Sequence, residues 1–277
     1  MNNFKINVRS RHNSHRVLRN NLPRMPFRSI VRLGSETVID DGKNRVELNS
    51  IKSINISKNK RLMKENFNKA GVPTPTWINS NSLANLIDSI NKEEIRYPIV
   101  CKSLFGSRGE GNTIIYNEAD LTSWSRNRNL SSYIYENYMN YMLEYRLHIT
   151  KFGCFYACRK ALKSDAPDDV KWRRHVDNSV WLLEDNINFL KPNSWGDIIN
   201  DCVKALKTIG ADVLSFDVRV QSSIDNNGEP REYQKYILIE CNSASSMKSP
   251  NNKDISICAQ KYLEIIPKLL VDKKETV

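Results

Sequence analysis

The 277-residue chain is defined first by what it lacks. No apolar run approaches the roughly 18 residues that a membrane-crossing helix needs. The longest uncharged strings, such as YILI at 236–239, fit strands instead. No apolar signal core stands near the N-terminus, so the expected compartment is the cytoplasm. The six cysteines (101, 154, 158, 202, 241 and 258) form no CxxC pair and have no neighbouring histidine pair. They read as reduced core thiols rather than a zinc site or a disulfide framework. No repeat or low-complexity linker occurs, which argues against a solenoid or a disordered chain. Hydrophobic residues make up 40% and charged residues 26%, the balance of a globular protein long enough to bury a core.

Acidic residues are also missing from one region. There is no Asp or Glu before Glu36, while Lys5, Arg9, Arg11, Arg16, Arg19, Arg24, Arg28 and Arg32 precede it. The whole chain carries 42 Lys+Arg against 31 Asp+Glu, a net charge of +11. Those eight cations leave a surplus of only three for the rest. The pattern implies a mildly basic body with a strongly basic N-terminal arm, which alone would suit nucleic-acid phosphates.

Along the chain, residues 1–28 support at most a short helix and a loop. A strand is expected over Ser29–Ser35, and partial alternation covers Val46–Ile56. Ser57 then suits the cap of a helix beginning near Lys58 and stopped by Gly71, Pro73 and Pro75. Further helices are expected at Leu83–Ile90, Gly196–Ile209 and Asp254–Val271. Strands are expected at Tyr97–Lys102, Asn112–Tyr116, Ser132–Tyr138, Met142–Thr150, Cys154–Leu162, Val213–Val220 and Tyr236–Cys241.

Three segments carry chemistry. In PIVCKSLFGSRGEG a strand delivers Lys102 into a loop holding Gly106, Gly109 and Gly111. Glycine lets backbone N–H groups approach phosphate oxygens, and the lysine adds a point charge; an ordinary glycine turn has the same letters. In MLEYRLHIT, alternation puts Glu144, Arg146 and His148 on one face. That face is either a solvated edge or the lining of a cleft. In LSFDVRV and ILIECN, Asp217 falls opposite the apolar face, as do Glu240 and Asn242. Oxygen donors on adjacent strands suit Mg²⁺ with nucleotide phosphates. Pairing with Arg219 or a lysine would explain the same acids structurally.

Taken in order, these segments resemble the ATP-grasp superfamily, nearest to its carboxylate–amine ligases, from about Asn59 to Leu270. The resemblance implies an α+β fold in which two α/β subdomains grip ATP. These would be residues 58–135, with the lysine helix and glycine flap, and residues 136–277, with the metal strands. Residues 1–57 would form the basic arm and a reduced N-terminal substrate region. ATP and Mg²⁺ are the implied cofactors. NKRLMKENFNKAGVPTP resembles the opening helix, with Lys60 toward the α-phosphate. Lys102 would be the second phosphate lysine, and Gly106, Ser107, Gly109 and Gly111 the lid. YIYENYM is similar to the hinge, where Glu136 and the backbone of Asn137 and Tyr138 would hold adenine. Glu144 matches the ribose acid. One of Arg159 and Lys160 would face the triphosphate, and alternation alone leaves that choice open. Asp217, Glu240 and Asn242 match the metal ligands, while Arg146, Arg173 and Arg174 would hold the carboxylate or acyl phosphate.

The chain departs from the family pattern on the acceptor side. Only VRLGS at 31–35 resembles the N-terminal strand and glycine loop. Ser179 stands where glycine is usual, and Asn242-Ser243-Ala244 lacks the usual proline-glycine. The implied activity is an ATP-dependent ligase joining a carboxylate substrate to an amine acceptor, either of them carried by a peptide or protein. It would proceed through an acyl phosphate. A phosphotransferase acting on a hydroxyl shares every nucleotide residue. A non-enzymatic nucleic-acid-binding protein using residues 1–35 rests on the arm alone. A homodimer, frequent among relatives, remains open.

Overall fold

The computed structural model describes residues 3–10, 12–39, 44–106, 109, 111–168, 172, 174, 178–247 and 256–276. The N-terminal segment is a folded unit and not an arm. Strands β2 (Asn7–Ser10), β4 (Ser29–Leu33) and β5 (Val46–Leu48) form a parallel sheet in the order β2-β4-β5. Helix α1 (Arg16–Asn21) makes the crossover, and β1 (Phe4–Lys5) pairs with β3 (Arg24–Met25). The C-terminal helix α7 (Ile257–Thr276) lays Tyr262, Ile266 and Leu269 over Ile6, Val8, Leu18 and Leu48. Three of the arm's cations serve this packing. Arg19 donates to the Val8 and Ser10 carbonyls (3.2 and 3.1 Å), Arg28 lies over the Phe4 ring, and buried Arg32 pairs with Glu47 at 3.3 Å.

Asn49 ties this unit to the rest of the molecule. Its φ of 59° lies in the left-handed region that Asn tolerates. From there its buried amide donates to Arg32 O (3.1 Å) and Val213 O (2.9 Å). The amide oxygen accepts from the Asp212 and Val213 N–H groups at 2.8 and 3.1 Å. Nothing in the local sequence announces this role, because the partners lie 163 and 164 residues away.

The helix expected from near Lys58 begins at Lys60, and a separate helix precedes it where partial alternation over Val46–Ile56 was expected. Ser50 caps α2 (Ile51–Lys58), and Asn59 interrupts it and caps α3 (Lys60–Lys69) by accepting from the Arg61 and Leu62 N–H groups. Ser57 turns inward to Ile54 O and Ser243 Oγ, so it is no cap. The break places the first residue of α3 against the flap strand, where Lys60 N donates to Leu104 O at 3.0 Å.

A four-stranded antiparallel sheet follows, in the order β6 (Trp77–Asn79), β9 (Tyr133–Asn137), β7 (Ile99–Ser103) and β8 (Thr113–Ile115). Helices α4 (Leu83–Asn91) and α5 (Glu118–Ser125) cover one face with Leu86, Leu121 and Trp124. The third sheet runs β12 (Ser179–Leu183), β11 (Gly153–Leu162), β10 (Leu143–Thr150), β13 (Val213–Val220) and β14 (Tyr236–Asn242). Helix α6 (Trp195–Ile209) packs Ile198, Cys202, Leu206 and Ile209 against Tyr145, Leu147, Phe216 and Val218. Burying each of the larger side chains contributes about 1.5–3 kcal/mol. A register shift between Asp217 and Val218 inserts Ile239 as an extra residue, so Leu238 enters the core in its place. Among the described residues no helix is long and apolar enough to cross a membrane.

Two predictions follow from this packing. Asn49→Ala removes four buried hydrogen bonds and leaves a residue that disfavours positive φ, so it should lower unfolding free energy by about 3 kcal/mol. Urea titration monitored by tryptophan fluorescence tests this, and a change within error would refute the tether. Buried His15 and His148 give a pH dependence. His15 Nε2 donates to Ser245 O at 2.7 Å, and His148 Nδ1 meets Tyr262 Oη at 3.0 Å. Burial lowers His15 to about 4 and His148 to about 3. The unfolded chain therefore binds protons that the folded one refuses between pH 6.5 and these values. Stability should fall as pH drops through 6.5, losing about 2 kcal/mol per histidine by pH 5. An unfolding midpoint unchanged from pH 7 to pH 5 would contradict it.

Candidate functional site

The second and third sheets turn their polar faces toward one cleft, and strand alternation fills it. From the flap side come the lysines of α3 and β7. Lys60 Nζ donates to Gly106 O at 3.3 Å, at the root of the flap. Val100 stands opposite Glu136 and Lys102 opposite Ile134, so Lys102 reaches the carboxylate diagonally, with Nζ 2.7 Å from Oε2. Lys64, one turn along α3 from Lys60, sits 3.4 Å from the other oxygen of Glu136. Gly106, Gly109 and Gly111 all have positive φ, the backbone freedom that a closing loop requires. Ser107 lies outside the described residues, as does Arg173.

From the third sheet, β10 and β13 place Glu144 opposite Arg219 and Arg146 opposite Asp217. Arg146 donates through Nε and Nη2 to the two oxygens of Asp217 at 2.7 and 2.6 Å. Lys160 Nζ bridges Glu144 (2.9 Å) and Asp217 (2.8 Å). Trp181 on β12 lies against both cations, its ring centroid 5.1 Å from the Arg146 guanidinium and 5.4 Å from Lys160. Such contacts stabilise a desolvated cation.

These groups are buried, and each shift has a cause. Burial works against the ionised form of Glu136, yet Lys102 and Lys64 hold its carboxyl below the usual range. The same opposition acts on Glu144, where Lys160, Arg219 and Arg174 prevail, and on Asp217, where Arg146 and Lys160 do. Burial lowers Lys64 to about 8 and lowers Lys60 as well. Among the described residues, seven cations (Lys60, Lys64, Lys102, Arg146, Lys160, Arg174 and Arg219) thus face four carboxylates (Glu136, Glu144, Asp217 and Glu240), a surplus of three positive charges.

Several expected roles change. Lys160 enters the cleft, whereas Arg159 lies on the opposite face of β11 and donates to Asn188 O. Arg174 joins the hinge end, 3.7 Å from Glu144, with Nη2 bonded to Met142 O at 2.5 Å. It is thus a neighbour of the expected ribose acid. The Glu136 side chain faces lysines and is not free for adenine. The N–H groups of Asn137 and Tyr138 are also engaged, by Thr76 O and Pro98 O, both at 2.9 Å. His148 is a core residue packed on Tyr262. Arg219, absent from the sequence-based site, links Glu144 (3.1 Å), Met139 O (3.2 Å) and Trp172 O (2.5 Å). Lys64 and Trp181 were also missed. A lysine four residues after Lys60 was the available signal for Lys64, since i,i+4 shares a helix face.

The fit of a hard cation can be judged from the donors. Asp217 lies opposite Glu240 and Ser215 opposite Asn242. Glu240 and Asn242 are half-buried, and the Asn242 amide donates to Glu240 Oε1 at 3.3 Å. Their oxygen chemistry fits Mg²⁺ beside phosphates. Asp217 is positioned with them, but both its oxygens are already held by Arg146 and Lys160. Among the described residues no cluster of three His, Cys, Asp or Glu side chains has metal-binding geometry.

No protein-family model matches this sequence, and no curated protein sequence matches it. Solved structures do match. The ATP-grasp ligase PsnB complexed with minimal precursor has a TM-score of 0.58 at 11% identity, covering 87% of this chain and 78% of that one. The N5-carboxyaminoimidazole synthetase from Staphylococcus aureus, complexed with ADP, has a TM-score of 0.56 at 16% identity. There the match covers 84% of this chain but only 60% of that one. The RimK domain protein ATP-grasp from Sphaerobacter thermophilus has a TM-score of 0.53 at 9% identity, covering 86% and 81%. At these identities the likeness is one of architecture, and the architecture of this chain is the ATP-grasp fold.

Proposed function

We propose that the chain is an ATP- and Mg²⁺-dependent carboxylate–amine ligase working through an acyl phosphate. The observation that carries this reading is the surplus of three positive charges in a buried cleft under a glycine flap. A tetraanionic nucleotide carrying one Mg²⁺ has a net charge of −2 and offsets most of such a surplus, whereas a neutral ligand leaves it uncompensated. Lys60 and Lys102 bind phosphate oxygens from the flap side, and Lys160 and Arg146 from the third sheet. Glu144 addresses the ribose, with Arg174 and Arg219 fixing its orientation. Glu240 and Asn242 would hold Mg²⁺, which supplies charge neutralisation on the phosphates when bound, while Asp217 anchors Arg146 and Lys160 beside them.

In the first step an oxygen of the substrate carboxylate attacks the γ-phosphorus. The bond to the β–γ bridging oxygen breaks, and ADP leaves with that electron pair. The amine nitrogen of the acceptor then attacks the acyl carbon. The C–O bond to phosphate breaks, inorganic phosphate departs, and the ammonium proton passes to solvent. Positioning and charge stabilisation suffice for such a transfer, and flap closure shields the acyl phosphate from water. The matching ligases, solved with ADP, Mg and a precursor, support this chemistry for the fold.

Hydroxylamine separates a ligase from a phosphotransferase. With ATP, Mg²⁺ and a panel of amino acids, peptides and dicarboxylates, an acyl phosphate is trapped as a hydroxamate. ADP release with a stable phosphate ester and no hydroxamate would overturn the ligase reading. Lys102→Ala should cut ATP-dependent turnover by roughly two orders of magnitude or more, the scale of losing a charge-stabilising group. Unchanged ADP release would remove Lys102 from the site.

A further inference from the structure

We infer that Lys64 is a positioning residue that frees Lys102 for the nucleotide. This rests on the reading of the cleft as an ATP site and adds a function to a lysine outside the phosphate set. The starting observation is an imbalance: Glu136 carries one negative charge and has two lysines against it, Lys102 at 2.7 Å and Lys64 at 3.4 Å. The two are not equivalent. The Lys64 side chain is fully enclosed, and its Nζ donates to Thr74 Oγ1 at 2.7 Å; that hydroxyl donates in turn to Leu238 O at 3.0 Å on β14. Lys64 is therefore anchored. Lys102 stands at the end of β7 beside the flap, is 11% exposed, and has Glu136 as its hydrogen-bonded partner.

Phosphate oxygens arriving under the flap compete with Glu136 for the Lys102 ammonium. If Lys102 were the carboxylate's only counter-ion, its departure would strand an ionised group that is 1% exposed, at a cost of several kcal/mol. Lys64 removes that obstacle. It stays beside the carboxylate and keeps it neutralised while Lys102 swings to the nucleotide. Glu136 Oε1, buried and without a hydrogen-bond partner among the described residues, faces Lys64. It can take the closer contact once Oε2 is released. The lysine pair thus exchanges partners without exposing a bare charge.

The test measures nucleotide binding by titration calorimetry on the full-length chain, using ADP and a non-hydrolysable ATP analogue with Mg²⁺. Lys64→Met should weaken analogue binding by roughly tenfold or more, because Glu136 then retains Lys102. The double variant Lys64→Met/Glu136→Gln has no carboxylate to strand, so it should recover most of the lost affinity. A purely structural lysine predicts further loss in the double variant, and that result would overturn the inference. So would wild-type affinity in Lys64→Met. If Lys64→Met alone fails to fold, Glu136→Gln carries the test: it should bind at least as tightly as the wild type, and weaker binding would count against the exchange. Failure of the wild-type chain to bind either nucleotide would instead refute the ATP reading itself.

Discussion

Three carboxylates, Glu136, Glu144 and Asp217, are almost wholly enclosed in the cleft, and the rest of the structure answers to the problem of keeping them ionised. An unpaired buried charge is too costly to persist, whereas a surrounded one is stable only with its partners at hydrogen-bonding distance. The partners come from different elements. Glu136 draws Lys64 from α3 and Lys102 from β7. Asp217 draws Arg146 from β10 and Lys160 from β11. Glu144 shares Lys160 and adds Arg219 from β13. The charges thus fix which strand faces look at one another, and they do so with cations in excess. The surplus is what makes the cleft receptive to a polyanion.

Rigidity and mobility are divided accordingly. The platform around β14 is tied from several sides: Leu238 N donates to Pro73 O at 2.8 Å, Cys241 N meets Met63 Sδ at 3.1 Å, and Lys64 reaches Leu238 O through Thr74. Asn49 fixes the start of β13 in the same way. The backbone freedom lies instead in the glycines after β7, whose root is touched by Lys60. The proposed phosphoryl transfer, which must exclude water, would need both properties, a fixed floor and a closing cover.

What the sequence made legible follows from which information is local. Alternation along β10 and β13 put Glu144, Arg146 and Asp217 on the cleft face correctly, because a strand's period is two whatever its surroundings. The position of α6 was readable from its own helical period of 3.6. The failures all involve partners distant in the chain. The inserted Ile239 depends on the register against β13, which no local alternation reveals. Asn59 and Ser57 are both good caps by type, and only docking of Lys60 N onto Leu104 O distinguishes them. Arg219 was visible as a charge but not as a link between Glu144 and the hinge. The basic N-terminal segment misled most, since its apolar residues are few and gain meaning only against α7.

That segment also explains how the loop after Asn242 is held without the proline and glycine that the family resemblance leads one to expect. Ser243 accepts from Ser57 Oγ at 3.0 Å, Ser245 Oγ bonds Ser215, and Ser245 O accepts from His15. Met247 N donates to Ser14 Oγ at 3.0 Å. Gly34, at φ +75°, presses so close that an added Cβ would lie 2.5 Å from the Ala244 Cβ. A Pro-Gly turn is stiffened by its own backbone restrictions. Here the same stretch is stiffened by side chains from the N-terminal unit and by close contact with its glycine loop. The unit is small, but through these contacts it holds the backbone that follows Asn242, the proposed metal ligand. Its retention is then a requirement of the cleft's geometry, independent of whether its exposed cations recruit any partner.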